Sequence, residues 1–269
     1  MITTLGDLDK VLRRKELAAK LARMGKKYLV MSGKGGVGKT ALCSSLALAK
    51  AREGQRVGVL DVDFHGPNLA GALFLEGTVE ADERGQIIPL KVLPNLAALS
   101  AQPLLSDPDE AVLWRGPRKI RAISQFLGDA AWGELDYFFI DTPPGTGDEA
   151  LAIARDIPDL EALVVTTGHS FSLADAAKAI NYLKAAKASV KGVVDSLGSF
   201  VCPKCQEEIV IYPPERVASL AAKFSLPVLA RVPLDFEAQA RSEERRLPLL
   251  EAAPESLLAR KIRELASLL

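Results

Sequence analysis

Ser32-Gly33-Lys34-Gly35-Gly36-Val37-Gly38-Lys39-Thr40 has the G-x-x-x-x-G-K-[ST] spacing of a phosphate-binding loop. Gly33, Gly35, Gly36 and Gly38, with Val37 among them, let backbone N–H groups crowd round a polyphosphate without Cβ clashes. Lys39 is placed to reach the β- and γ-phosphates, and the Thr40 hydroxyl to ligate Mg²⁺. Two further carboxylate positions fit the same chemistry. Leu60-Asp61-Val62-Asp63 closes an apolar run, where Asp61 and Asp63 suit Mg²⁺ ligation through water and orientation of an attacking water. A pair of exposed turn aspartates is the plainer alternative. Asp141 ends Tyr137-Phe138-Phe139-Ile140, the place from which an Asp holds Mg²⁺. The Pro- and Gly-rich segment Thr142 to Asp148 after it reads as a switch that a γ-phosphate can order.

Cys202-Pro203-Lys204-Cys205 carries a different chemistry. One Cys-x-x-Cys supplies two thiolates, whereas a zinc site or an iron–sulfur cluster usually takes four ligands. The third cysteine, Cys43, falls in the segment after the phosphate loop and reads as a buried filler. A two-fold dimer would bring two copies of the pair together and complete the count. A redox dithiol and a zinc staple remain open from spacing alone. His65 and His169 are lone histidines for which local hydrogen bonding is expected. Arg115, Arg118, Lys119 and Arg121 read as a solvated basic face.

These residues need a scaffold. Apolar runs at 27–32, 56–62, 96–100, 137–141, 162–167, 190–197 and 227–232 are near-continuous rather than alternating. Strands buried on both faces look like this, so the expectation is an α/β fold with a mainly parallel sheet of about seven or eight strands and helices on both faces. Helices are predicted at 39–53, 117–130, 148–155, 172–187, 214–224 and 255–268, and residues 75–95 read as a turn-rich excursion. A basic amphipathic helix is expected over 4–27, giving an N-terminal helix (1–26) ahead of a P-loop domain at 27–269.

Composition bounds the partners. Of 269 residues, 48% are apolar and 25% charged, which is ordinary for a soluble globular protein. The formal net charge is zero, which argues against broad attraction to nucleic acid. No apolar run is long enough to span a bilayer and no secretory signal opens the chain, so a cytoplasmic location without stable membrane association is expected.

Lys-Gly-Gly-Val-Gly-Lys-Thr at 34–40 resembles the deviant Walker A loop of the MinD/ParA/nitrogenase-iron-protein superfamily. In that superfamily the early lysine crosses a dimer interface, so the resemblance assigns this role to Lys34 and implies an ATP-sandwiched homodimer. It assigns Asp63 the positioning of water and Asp61 a supporting place near Mg²⁺. Asp61 to Asn68, Trp114-Arg115-Gly116-Pro117, Asp141 to Asp148 and the cysteine pair together resemble the Mrp/ApbC-like family of P-loop iron–sulfur cluster carrier ATPases. That resemblance implies a slow ATP hydrolase, a [4Fe–4S] cluster bridged by Cys202 and Cys205 of two protomers, and its transfer to apo iron–sulfur proteins. Where such proteins often carry Glu-Asn-Met-Ser, whose Asn helps recognise adenine, this chain has Asp195-Ser196-Leu197-Gly198. The competing reading is a MinD/ParA-type positioning ATPase on membrane or DNA, resting on the amphipathic segment Leu257 to Leu265.

Overall fold

Continuous apolar runs become strands covered on both sides. The computed structural model describes residues 15–100 and 116–269. Its strands are β1 (Lys26–Ser32), β2 (Val57–Asp61), β3 (Glu80–Ala81), β4 (Ile87–Ile88), β5 (Leu90–Leu93), β6 (Leu96–Leu99), β7 (Tyr137–Asp141), β8 (Leu160–Thr166), β9 (Ser189–Val201), β10 (Glu208–Val210) and β11 (Val228–Leu234). Every residue of β2 is buried, as are four of five in β7 and six of seven in β8. The helices are α1 (15–22), α2 (Lys39–Arg52), α3 (Leu69–Ala72), α4 (Gly116–Gly128), α5 (Asp148–Asp156), α6 (Ser170–Ala185), α7 (Glu215–Lys223), α8 (Phe236–Arg245), α9 (Leu249–Ala252) and α10 (Leu257–Ser267).

The main sheet runs β10-β9-β8-β1-β7-β2-β6-β5, with β11 on β9, nine strands among the described residues. β1, β2, β6, β7, β8, β9 and β11 pair in parallel, and β5 and β10 are antiparallel additions. Those two account for the strands beyond the expected seven or eight. They are short and partly or fully exposed, so they lack the buried apolar run that marks the others. The excursion at 75–95 holds the small β3–β4 hairpin as well as β5.

Side chains alternate across each strand, which separates two cores. Leu29 and Met31 of β1 join Leu21, Ile123, Phe126, Ile153, Ile180 and Val217 under α1, α4, α5, α6 and α7. Tyr28 and Val30 point the other way and join Leu42, Leu46, Leu258, Ile262 and Leu265 under α2 and α10. The apolar face of α10 is therefore spent within the fold. No described helix is long and apolar enough to cross a membrane.

The N-terminal helix is shorter than its pattern. Within the described residues it spans 15–22, and Lys26 and Lys27 already belong to β1. Gly25 breaks it: its N–H donates to the Leu135 carbonyl at 2.9 Å, and a Cβ there would lie 2.1 Å from the Asp136 oxygen. Residues 4–14 of the predicted helix, and Trp114 and Arg115, lie outside the described residues.

Candidate functional site

β1 delivers the phosphate loop at the carboxyl end of the sheet, where open α/β sheets take ligands. Gly36 and Gly38 sit at φ 77° and 80°, left-handed values that an L side chain resists. Gly33 has a different task, since a Cβ there would lie 2.2 Å from the backbone carbon of Asp175 in α6. α2 then starts at Gly38 with no side-chain cap and no acidic residue in its first turn. Its first N–H groups and the positive end of its dipole are left open to an anion, so the loop fits a polyphosphate.

Lys39 and Thr40 converge on one carboxylate. Lys39 Nζ donates to Asp141 Oδ1 at 2.6 Å and Thr40 Oγ1 donates to Asp141 Oδ2 at 2.6 Å. Asp61 is the residue paired with Asp141 across β2 and β7, and both are fully buried. Asp61 Oδ1 accepts from the Asp63 N–H at 2.9 Å, and Oδ2 from the Leu69 N–H and Ser100 Oγ, each at 3.2 Å. Burial, with the charge of Asp141 beside it, pushes the Asp61 carboxyl up to about 8. Burial also raises Asp141, against the pull of Lys39. Two buried carboxylates that resist ionising side by side are a fit donor set for a divalent cation, whose charge would favour the ionised forms.

Asp63 is half-buried just beyond β2, and its Oδ1 accepts from the N–H groups of His65 and Gly66 at 3.3 and 3.2 Å. Lys34 is exposed. The switch segment is pinned at both ends: Thr142 Oγ1 donates to the Val30 carbonyl at 3.0 Å, and Tyr182 Oη donates to the Gly147 carbonyl at 2.7 Å. Cys43 is fully buried in α2, where burial drives its thiol pKa upward, so it has the filler's environment.

The cysteine pair stands at the same end of the sheet. β9 pairs with β8 and β11 together at Val193 to Asp195, and with β10 and β11 together at Phe200. A strand has two edges, so β10 lies on the β8 side, beyond where β8 stops. Cys202 and Cys205 occupy the turn of that β9–β10 hairpin, closed by Gln206 N–H to the Cys202 carbonyl at 2.8 Å and Cys202 N–H to the Glu207 carbonyl at 2.9 Å. Cys202 is half-buried and Cys205 exposed. The N–H groups of Cys205 and Lys204 aim at the Cys202 sulfur and lower its pKa, which favours the thiolate, the form that ligates metal. Among the described residues no group of three or more His, Cys, Asp or Glu could hold a metal ion, so the pair has no third ligand among them.

A family model described as ParA, NUBPL iron-transfer P-loop NTPase, matches residues 23–269. The chain belongs to this family. An iron-sulfur cluster carrier protein of Methanocaldococcus jannaschii is 38% identical over 244 residues, 90% of this chain and 84% of that one. The cytosolic Fe-S cluster assembly factor CFD1 of Saccharomyces cerevisiae is 42% identical over 228 residues, 81% of this chain and 77% of that one. Among solved structures, the nucleotide-binding protein of Archaeoglobus fulgidus in complex with ADP matches with a TM-score of 0.73 at 31% identity, over 91% of this chain and 92% of that one. The cell division ATPase MinD of Pyrococcus furiosus matches at 0.68 and 26%, over 91% and 98%.

Near the site, this family member has a Lys119–His65–Glu149 contact that its sequence hid. Lys119 is buried rather than solvated, with Nζ 2.6 Å from His65 Nε2 and 2.8 Å from Glu149 Oε1. It ties the loop that carries Asp63 to the start of α5, where the switch segment ends. A signal existed: Lys119 lies three and four residues before Ala122 and Ile123, on the buried stripe of α4. His169 caps α6, its Nδ1 accepting from the Phe171 N–H at 3.3 Å.

Proposed function

We propose that this chain is an ATP-dependent carrier of iron–sulfur clusters, which it holds between two copies of itself and passes to apo-proteins in the cytoplasm. The carrying observation is a two-thiolate hairpin with no third ligand among the described residues, standing at the nucleotide end of a P-loop sheet. The cluster is cargo. Cys202 and Cys205 of two protomers supply four thiolates, the usual complement for a [4Fe–4S] cluster. Ile209, Val210 and Ile211 are exposed on the same hairpin, an apolar surface that a second copy could cover. The printed names of the relatives, a cluster carrier and a cluster assembly factor, support the reading.

For hydrolysis, the loop N–H groups and Lys39 bind the triphosphate, and Thr40, Asp61 and Asp141 would hold Mg²⁺. Bound there, Mg²⁺ neutralises charge on the phosphates. Asp63 orients the attacking water, and exposed Lys34 reaches the nucleotide of the partner subunit. The positioning reading drew on the apolar face of α10, which is packed on the domain's own core.

Anaerobic reconstitution with iron and sulfide tests the reading. The expected product is a dimer with four iron and four sulfide per two chains and the broad visible absorbance of a thiolate-ligated cluster. A colourless zinc dimer, or a monomer holding a full cluster, would sink it.

A further inference from the structure

β9 touches both sites. On its way out of the sheet it passes the phosphate loop: a Cβ at Gly38 would lie 3.2 Å from Ser196 Oγ and 4.0 Å from Leu197 Cδ2. Six residues beyond Ser196 the same strand reaches Cys202. Between them the strand is irregular. Ser196 pairs with Val232 and Phe200 with Leu234, so β9 advances four residues while β11 advances two. The surplus is a bulge, and Leu197 within it sits at φ 56°. A leucine there costs about 1 kcal/mol or more, and bulges of this kind re-aim strands next to active sites.

One side chain grips the bulge. Arg231 of β11 donates through Nη2 to the Gly198 carbonyl at 2.9 Å and to the Tyr212 carbonyl at 2.5 Å. The Ile211 and Tyr212 N–H groups also donate to the Gly198 carbonyl, at 2.9 and 3.0 Å. Both legs of the cysteine hairpin therefore meet at Gly198 and Arg231. Behind them lies Asp195, buried, with Oδ2 3.3 Å from Arg231 Nε. The pair is close but poorly aligned: neither Arg231 Nε nor Asp195 Oδ1 has a hydrogen-bond partner among the described residues. A buried ion pair with two unmade hydrogen bonds is costly as it stands, and a small shift of the bulge would align it. Burial holds the Asp195 carboxyl up at about 6, with Arg231 pulling the other way.

We propose that Asp195 and Arg231 are positioning residues that couple the phosphate loop to the cysteine hairpin, by setting which of two alignments the Leu197 bulge adopts. Nucleotide at the loop presses on Ser196 and Leu197 through Gly38. The bulge moves against the Asp195–Arg231 pair, and the pair carries the movement to both legs of the hairpin. Cys202 and Cys205 change their presentation without touching the nucleotide. The proposal rests on the carrier reading for its purpose, and its test needs no cluster.

The test measures alkylation of Cys202 and Cys205 by N-ethylmaleimide, resolved by peptide mass spectrometry, on cluster-free protein. It is run with and without Mg²⁺ and a non-hydrolysable ATP analogue, at concentrations where sedimentation shows monomer. Nucleotide affinity is titrated in parallel. In the unaltered chain the analogue should change the alkylation rate by about fivefold or more, the lower range of ordinary allosteric coupling. Asp195→Asn and Arg231→Gln should bring that ratio below about twofold while nucleotide affinity stays within about threefold. Arg231→Lys keeps the charge without the planar fork and should retain an intermediate ratio. Full coupling in both Asp195→Asn and Arg231→Gln overturns the proposal, as does an unaltered chain that binds nucleotide with no change at the cysteines. A chain that binds no nucleotide at all overturns the carrier reading, and the coupling with it.

Discussion

Replacing Lys39 by Met keeps the length of the side chain and removes its charge. In the nucleotide-free protein Lys39 is the cation on Asp141, at 2.6 Å and almost fully buried. Thr40 Oγ1 remains as a donor, but Asp61 stands beside Asp141 on the neighbouring strand. Stranding one member of a buried pair costs about 3–5 kcal/mol. Asp141 has an escape, because it can take up a proton. At pH 7 that limits the loss to about 4 kcal/mol, and at pH 5.5 to about 2 kcal/mol, since each pH unit away from an ordinary carboxyl pKa is worth about 1.4 kcal/mol. The sign follows from the same exchange. The variant's native state holds a proton that its unfolded state releases above about pH 4, so the variant loses stability as pH rises. Urea denaturation of the nucleotide-free Lys39→Met and unaltered chains at pH 5.5 and 7, without divalent cations, measures the difference at each pH. A deficit that is the same at both pH values, or below about 0.5 kcal/mol at both, would refute the reasoning. The same variant should have lost ATP hydrolysis, and near-normal turnover would remove Lys39 from the phosphate site.

Asp63→Ala should bind ATP with an unchanged KM and turn over at least about 100-fold more slowly, because water is oriented in the transition state rather than the ground state; steady-state kinetics showing a raised KM with kcat intact would make it a ground-state ligand. The raised Asp61 carboxyl keeps its proton in the native state up to about pH 8. It therefore costs stability as pH rises from about 4 to 8, and Asp61→Asn should flatten the fall in urea midpoint over that range without metal. Cys202→Ser should abolish stable cluster binding and leave nucleotide binding in place, whereas Cys43→Ser should do neither; iron analysis beside a nucleotide titration reads both, and a Cys43 variant that loses its cluster would refute the shared-ligand arrangement.

What could be read in advance depended on how local each cause is. Val57 to Leu60 and Tyr137 to Ile140 announce buried strands because burial on both faces leaves no polar position. The phosphate loop is legible because its geometry is a matter of consecutive glycines. The pairing of Lys119 is not legible in the sequence because its partners His65 and Glu149 lie 54 and 30 residues away, and charge alone does not say what will meet it. The role of Arg231 is hidden for the same reason, its contacts at Gly198 and Tyr212 being made only once β9 and β11 lie side by side. β10 was hidden differently. It is three residues long and fully exposed, so its pairing with β9 is backbone hydrogen bonding with no burial pattern to betray it. The expected helix over 4–27 failed at its end because periodicity ignores Gly25, where the chain runs against Asp136.

The glycines of the phosphate loop face different futures under mutation. Gly36 has open space where a Cβ would go, and only its φ of 77° stands against a side chain. Asn tolerates that conformation best among L residues, so drift to Asn at Gly36 is the mildest change the loop can absorb. At Gly33 no residue type offers a way out, because any side chain would be driven into the backbone of α6 at Asp175. A lineage could change Gly33 only by first moving a 16-residue helix, and that helix also packs Ala176, Ala179 and Ile180 into the core. Two letters that look alike in the motif are thus held in place by unrelated forces. One is a conformational preference that selection can trade against, and the other is a wall.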